Sequence, residues 1–293
     1  MTRTRAIGAA MILGTSASIQ LAAAIAHSLF ATLGPTGVSA LRFALGTAIV
    51  VPLVRPRARG RDRATWAAIS AYGISLAALN LTFFEAIARV ELGLAVTFAF
   101  LAPLIVALAG SRRRRDAACA LVAALGVVVL GGIDRPDSAA GVAYALAAGA
   151  AWVGVAFAGR SVGRRTRRLD GLALAIPIAC ILTLPFGVGR AGALDIHSLA
   201  IGIAIAVGGL ILPFALELEG LRRLEPQLVA VIYSCDPAIA AIVGLTTLSQ
   251  RLGPAQAAGI TMVICASVLA TASSSGPAAQ SSADRYTETR ELV

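Results

Sequence analysis

Runs of about 20 mostly apolar residues, the length a helix needs to cross a bilayer, recur along this chain and leave little sequence for anything else. Ten such segments stand near 6–28, 35–54, 65–86, 92–111, 115–132, 139–159, 170–188, 198–218, 227–247 and 254–273. The connections between them are short, which forces antiparallel neighbours. Of the 293 residues, 58% are hydrophobic and only 14% charged, and mean hydropathy is +0.83. A soluble domain of this length must clothe its core in polar surface, and this composition cannot. The fold class expected is an all-α integral membrane protein with ten transmembrane helices. The first apolar run lacks a signal-peptidase site followed by a polar mature domain, so it reads as a first spanning helix. The Ser/Ala-rich stretch after Ser273 reads as a disordered tail.

All 25 basic residues are Arg, against 15 acidic ones. A net charge of +10 is compatible with nucleic-acid binding by number alone, but the Arg residues fall in clusters between apolar runs. Arg3 and Arg5, Arg55 to Arg63, Arg112 to Arg115, Arg160 to Arg168, Arg222 and Arg223, and tail residues Arg285 and Arg290 place 20 on one set of alternating connections. The other set holds four: Arg89, Arg135, Arg190 and Arg251. Arg42 lies inside a segment. Cytoplasmic loops carry the excess of basic residues, so both termini are expected in the cytoplasm and no nucleic-acid partner is expected. Cys119, Cys180, Cys235 and Cys265 form no CxxC pair, and His27 and His197 lie far apart. Neither a metal site nor a cofactor is signalled.

The chain also repeats itself. FEAIARVELG at 84–93 aligns with LEGLRRLEPQ at 218–227, setting Glu85 on Glu219 and Glu91 on Glu225 at an offset of 134. The same offset carries Pro103 in AFLAP onto Pro237 in YSCDP. Residues 1–134 and 135–273 are therefore expected to be two related five-helix repeats, with 274–293 a cytoplasmic tail. An odd number of helices per repeat inverts the second relative to the first, the architecture of alternating-access carriers with a substrate site near the midplane.

Ionisable residues inside such segments are expensive and are functional candidates by default. Arg42 in SALRFALG offers a fork-shaped guanidinium to a carboxylate; snorkelling to the interface is the alternative. Asp236, near mid-membrane and followed by Pro237, suits proton coupling or an ammonium group, the alternative being a structural pair with Arg42. Pro237 and Pro103 each remove a backbone hydrogen bond and leave carbonyls free. Asn80 is a candidate uncharged substrate contact. Glu85, near the outer end of the third segment, and Glu217 and Glu219, near the inner end of the eighth, are candidates for gating or proton coupling, or are simply solvated. Trp66 reads as an interface anchor, and Trp152 as packing or cavity wall.

The run LPFALELEGLRRLEPQLVAVIYSCDPAIAAIVGL resembles the EamA-type branch of the drug/metabolite transporter superfamily. SIQLAAAIAHSLFATLGPTGVSALRFALGT and YGISLAALNLTFFEAIARVELGLAV resemble its threonine/homoserine exporters. The resemblance implies export of small amino acids across the inner membrane of a bacterium, in exchange with protons, and no enzyme activity. Its site positions match Arg42, Asn80, Glu217 and Asp236. Two departures stand out: Asp236 replaces Glu before the proline, and Ala99 stands where exporters reading EFxGP carry a carboxylate. Partners expected are a zwitterionic amino acid and the lipid bilayer, with a homodimer as the assembly. Exporters of drug-like or sugar-type solutes, and a non-transporting membrane scaffold, remain the alternatives at this level.

Overall fold

The structure is a computed structural model that describes residues 3–109, 122, 125–126, 136–166, 169–224 and 226–273. Most of the expected fifth segment, the Arg112–Arg115 cluster, Arg135, Glu225 and the tail lie outside the described residues. Among the described residues the secondary structure is helical throughout: α1 (Arg3–His27), α2 (Phe30–Val54), α3 (Arg63–Ile87), α4 (Leu92–Ala109), α5 (Pro136–Arg165), α6 (Asp170–Gly187), α7 (Ile196–Ala206), α8 (Leu212–Leu221), α9 (Pro226–Tyr233), α10 (Asp236–Thr247) and α11 (Pro254–Ser273). Six stretches are long and apolar enough to cross a membrane: Thr4–His27, Phe30–Val54, Arg63–Ile87, Ala139–Arg165, Asp170–Ala193 and Ile196–Glu217. Leu92–Val106, Asp236–Thr247 and Pro254–Ala266 are shorter apolar helices.

Local chemistry explains where these helices start, bend and break. Asp62 caps α3 by accepting from the Thr65 N–H at 3.1 Å, and Asp195 caps α7 by accepting from Ser198 N–H at 2.7 Å. Within α2, Gly34 takes φ 69° and ψ 161° and Pro35 follows, so the helix restarts on a residue whose missing N–H costs nothing in a first turn. Between α7 and α8 the chain winds one π-helical turn, Val207–Ile211. Between α9 and α10 it breaks at Ser234 and Cys235, ahead of Pro237.

A small interior cluster seats Ile12 of α1 on Leu224, Val229 and Ile232, and two larger ones hold the helices together. One joins α1 to α4 with residues of α10 and α11, including Leu33, Phe84, Phe98, Ala241 and Val263. The other joins α2, α3 and α6 around Phe43, Ile69, Tyr72 and Ile176. Large apolar residues such as Leu53, Ile105, Phe157, Ile181, Phe186 and Ile242 face outward, as a lipid-facing perimeter requires.

Contacts between helix ends fall into two groups. In one, Arg61 pairs with Asp170 at 2.9 Å, and Gly8 of α1 lies so close to Leu224 that a Cβ there would come within 2.8 Å of its Cγ. In the other, the Arg190 guanidinium rests on Gly34, Gly141 abuts Val90 and Arg89, and the Leu92 N–H donates to Gln250 Oε1 at 3.0 Å. The first group joins connections from the Arg-rich set, and the second joins connections from the Arg-poor set.

The aligned motifs also share local structure. Arg89 Nη1 donates to the Glu85 carbonyl at 2.7 Å, and Arg223 Nη1 to the Glu219 carbonyl at 2.8 Å. Each Arg also pairs with the carboxylate four residues before it. α1 and α5 are each seated against one of these turns, Gly8 on Arg223 and Leu224, Gly141 on Arg89 and Val90.

Candidate functional site

Arg42 lies at the meeting of α2, α3 and the π turn, only 7% exposed. Its Nη1 donates to Asn80 Oδ1 at 2.9 Å, and its Nη2 donates to the Gly209 carbonyl. The guanidinium carbon stands 5.8 Å from the centre of the Phe84 ring, a cation–π distance. Asn80 is itself oriented, its Nδ2 donating to the Leu76 carbonyl at 3.2 Å, so its oxygen is the atom offered to Arg42. Arg42 and Asn80, separate candidates in the sequence, are thus in direct contact in the fold. Snorkelling does not describe Arg42, which is buried with its polar atoms turned inward.

The π turn explains why a carbonyl waits for Arg42. Pro213 has no N–H, so it can serve neither Gly209, the α-helical acceptor four residues back, nor Gly208, the π-helical acceptor five back. Both carbonyls are met by side chains instead: Gly209 by Arg42, and Gly208 by the Ser18 hydroxyl at 2.6 Å. Thr15 adds a bond to the Pro213 carbonyl at 3.3 Å. The Ala99 carbonyl, freed in the same way by Pro103, lies against Gly149 of α5, where any Cβ would collide with it. Of the two prolines expected to free a carbonyl, Pro103 leaves that of Ala99 against Gly149, whereas Pro237 stands in the first turn of α10, where its missing N–H orphans no helical acceptor. The signal for this turn in the sequence is Gly208-Gly209, five and four residues ahead of Pro213, a pattern that marks no site until Arg42 and Ser18 are packed against it.

Asp236 opens α10 and is 5% exposed, its carboxylate at the positive end of a helix. No ion pair joins it to Arg42 among the described residues, so the structural-pair alternative does not describe it. Ser16 of α1 and Glu217 of α8 are its polar neighbours. Glu217 in turn accepts from the Tyr233 hydroxyl at 2.8 Å. Tyr233, Ser16 and Phe84 were not singled out from the sequence, because nothing in their local pattern marks them before the helices are packed.

Glu85 and Glu219 stand apart from this centre. Glu85 pairs with Arg89, and Glu219 with Arg223 and, at 3.2 Å, with Arg222. Ala99 is buried and supplies no charge. Trp152 meets Phe100 edge to face at 6.1 Å, as packing, and Trp66, at the start of α3, is 36% exposed.

What remains unsatisfied is as telling as what is bonded. Ser16 Oγ, Gln20 Oε1, Ser39 Oγ, Arg42 Nε, Thr47 Oγ1 and Asp236 Oδ1 are buried without a hydrogen-bond partner among the described residues. A buried polar atom left so costs about 1–3 kcal/mol, and all six belong to α1, α2 or the start of α10. Arg42 and Asp236 are thus a buried cation and a buried carboxylate, not paired with each other among the described residues and each keeping an unpartnered atom.

An EamA-like transporter family model matches residues 139–272. The threonine/homoserine exporter RhtA of Escherichia coli (strain K12) is 34% identical over 263 residues, covering 88% of this chain and 89% of that protein. The threonine/homoserine exporter RhtA of Salmonella typhimurium (strain LT2) is 35% identical over the same shares of both chains. A crystal structure of a protein 21% identical in sequence superposes with a TM-score of 0.63, covering 90% of this chain and 96% of that one, a likeness of fold.

Proposed function

Because the chain belongs to the EamA-like transporter family, and is thus a membrane transporter and not an enzyme, we propose that it exports small hydroxylated amino acids of the threonine and homoserine kind by alternating access. The observation that carries this reading is the buried Arg42, held by Asn80 and Gly209 with no carboxylate partner among the described residues. A guanidinium kept in hydrocarbon without a counter-ion is built to receive one. In this reading Arg42 takes the substrate carboxylate and Asp236 takes the ammonium group or the coupling proton.

The spacing of the poles suits a small amino acid. Ser16 neighbours Asp236, and Ala22 lies on Gly209, the residue bonded to Arg42. Six residues of α1 separate them, about 9 Å of helix rise. Two charge-assisted hydrogen bonds of about 2.8 Å with a small zwitterion between them fill such a gap.

The finer architecture belongs to the same proposal. Two inverted five-helix repeats rock about the midplane, with the Arg-rich connections and both termini in the cytoplasm of a bacterial inner membrane. The duplicated Glu–Arg turns and the two groups of end contacts support it. Glu85 and Glu219 act at the two gates, and Glu217 takes part in proton coupling. The resting equilibrium shifts because substrate binds the inward- and outward-facing states differently.

The test is efflux of labelled threonine and homoserine from proteoliposomes holding the full chain, with and without a protonophore. Efflux accelerated by an inward proton gradient is expected, with loss of at least tenfold in Arg42→Ala and Asp236→Asn. Normal efflux in both variants would remove these residues from the site.

A further inference from the structure

α1 carries two polar faces, one bonded to neighbouring helices and one not. Thr15 and Ser18 face the π turn and bond to Pro213 and Gly208. Ser16 and Gln20, one helical turn apart and hence on a common face, are 1% and 4% exposed. Neither Ser16 Oγ nor Gln20 Oε1 has a hydrogen-bond partner among the described residues. An apolar helix normally quiets a hydroxyl by turning it back onto the carbonyl four residues before it. Thr15, Thr82, Thr97 and Thr183 all do this, bonding to Met11, Ala78, Gly93 and Ala179. Ser16 does not. Its hydroxyl leans toward the Asp236 carboxylate without closing a hydrogen bond of normal geometry, and Asp236 Oδ1 is also unpartnered.

We propose that Ser16 and Gln20 are the specificity-determining wall of the substrate site, reading a side-chain hydroxyl on the α-amino acid held between Arg42 and Asp236. The inference rests on the amino-acid export reading and adds to it the residues that choose among amino acids. Gln20 lies four residues beyond Ser16, about 6 Å along the axis, and so falls between the levels of the carboxylate and guanidinium poles. The chemistry is complementary: a substrate hydroxyl donates to the Gln20 carbonyl oxygen and accepts from the Ser16 hydroxyl. A methyl group in the same place leaves both atoms buried and unpaired. A site built to bond a hydroxyl rejects the analogue lacking it far more strongly than an apolar pocket rejects an extra methylene.

Valine is the discriminating probe, because it has the shape of threonine with a methyl in place of the hydroxyl. Efflux of each is measured from proteoliposomes of the full chain, normalised to inserted protein, for wild type, Ser16→Ala, Gln20→Leu, the double variant and Ser16→Thr. Wild type is expected to favour threonine, and the double variant to lower the threonine-to-valine ratio by at least about tenfold. Ser16→Thr, which keeps the hydroxyl, should restore the preference lost in Ser16→Ala. If the double variant inserts poorly, the same ratio in the single variants decides. A ratio unchanged across the variants overturns the proposal, as does a wild type that carries valine as readily as threonine. A wild type that exports neither amino acid defeats the underlying export reading instead, and is recognised by the absence of any efflux.

Discussion

Arg42 shows how little a residue type says until its neighbours are known. A lysine keeps the charge there but has a single ammonium on a flexible stem, and cannot span Asn80 Oδ1 and the Gly209 carbonyl in one planar fork. Hydrogen bonds to charged groups contribute about 1.5–3 kcal/mol each, so losing one is worth about tenfold or more. Arg42→Lys should therefore lower threonine efflux by at least about tenfold in a proteoliposome assay while still inserting. Asp62 poses a question of a different kind, outside the membrane. Hydrogen bonds from the Thr65 side chain and then its N–H hold its carboxyl below the ordinary 3.8. A depressed pKa in the folded state means the stabilisation is present above the unfolded value and lost as pH falls through the folded one. Asp62→Asn keeps an oxygen at the cap and removes the titration, so its melting midpoint in detergent should match wild type near neutrality. Below about pH 4 it should decline less steeply than wild type does.

At the level of elements, the π turn is the part on which the site depends. Its two glycines occupy adjacent positions with unlike surroundings. A Cβ on Gly209 would come within 2.7 Å of Arg42 Nη2, whereas one on Gly208 would meet nothing nearer than 3.8 Å. The obstructed atom is the far end of a flexible side chain, so Gly209→Ala displaces the guanidinium without breaking the helix. Efflux should fall several-fold in Gly209→Ala with the melting midpoint little changed, while Gly208→Ala should leave both near wild type. Efflux equal in the two variants would show that Arg42 is not held by this turn. This element also marks the limit of what the sequence discloses. Length and hydropathy located the apolar segments, because burial in lipid constrains composition over 20 residues at a time. The π turn depends on which carbonyls Pro213 orphans and which distant side chains arrive to meet them. Arg42 and Asp236 stand out in the sequence as rare charges. Ser16, Gln20 and Tyr233 become visible only after α1 packs on α8 and α10, since buried serine, glutamine and tyrosine are ordinary in isolation.

For the whole molecule, the proposed sidedness is open to chemical labelling. In a variant lacking the four native cysteines, a cysteine at Gly192, where no atom lies within 4 Å of a Cβ, should react with an impermeant thiol reagent added to intact cells. A cysteine replacing Arg59 should react only after the membrane is opened. The reverse pattern would invert the proposed topology. The packing of α1 also sets a schedule. Its hydroxyls at Thr15 and Ser18 bond to residues 198 and 190 positions further along. At a synthesis rate of about 5–20 residues per second, roughly 10–40 s pass between the emergence of α1 and that of the carbonyls it serves. During that interval the first helix enters the bilayer with Thr15 and Ser18 on a surface whose distant carbonyl partners do not yet exist. The nascent chain must therefore be sheltered, by the insertion machinery or by provisional neighbours, until its second half arrives to close over it.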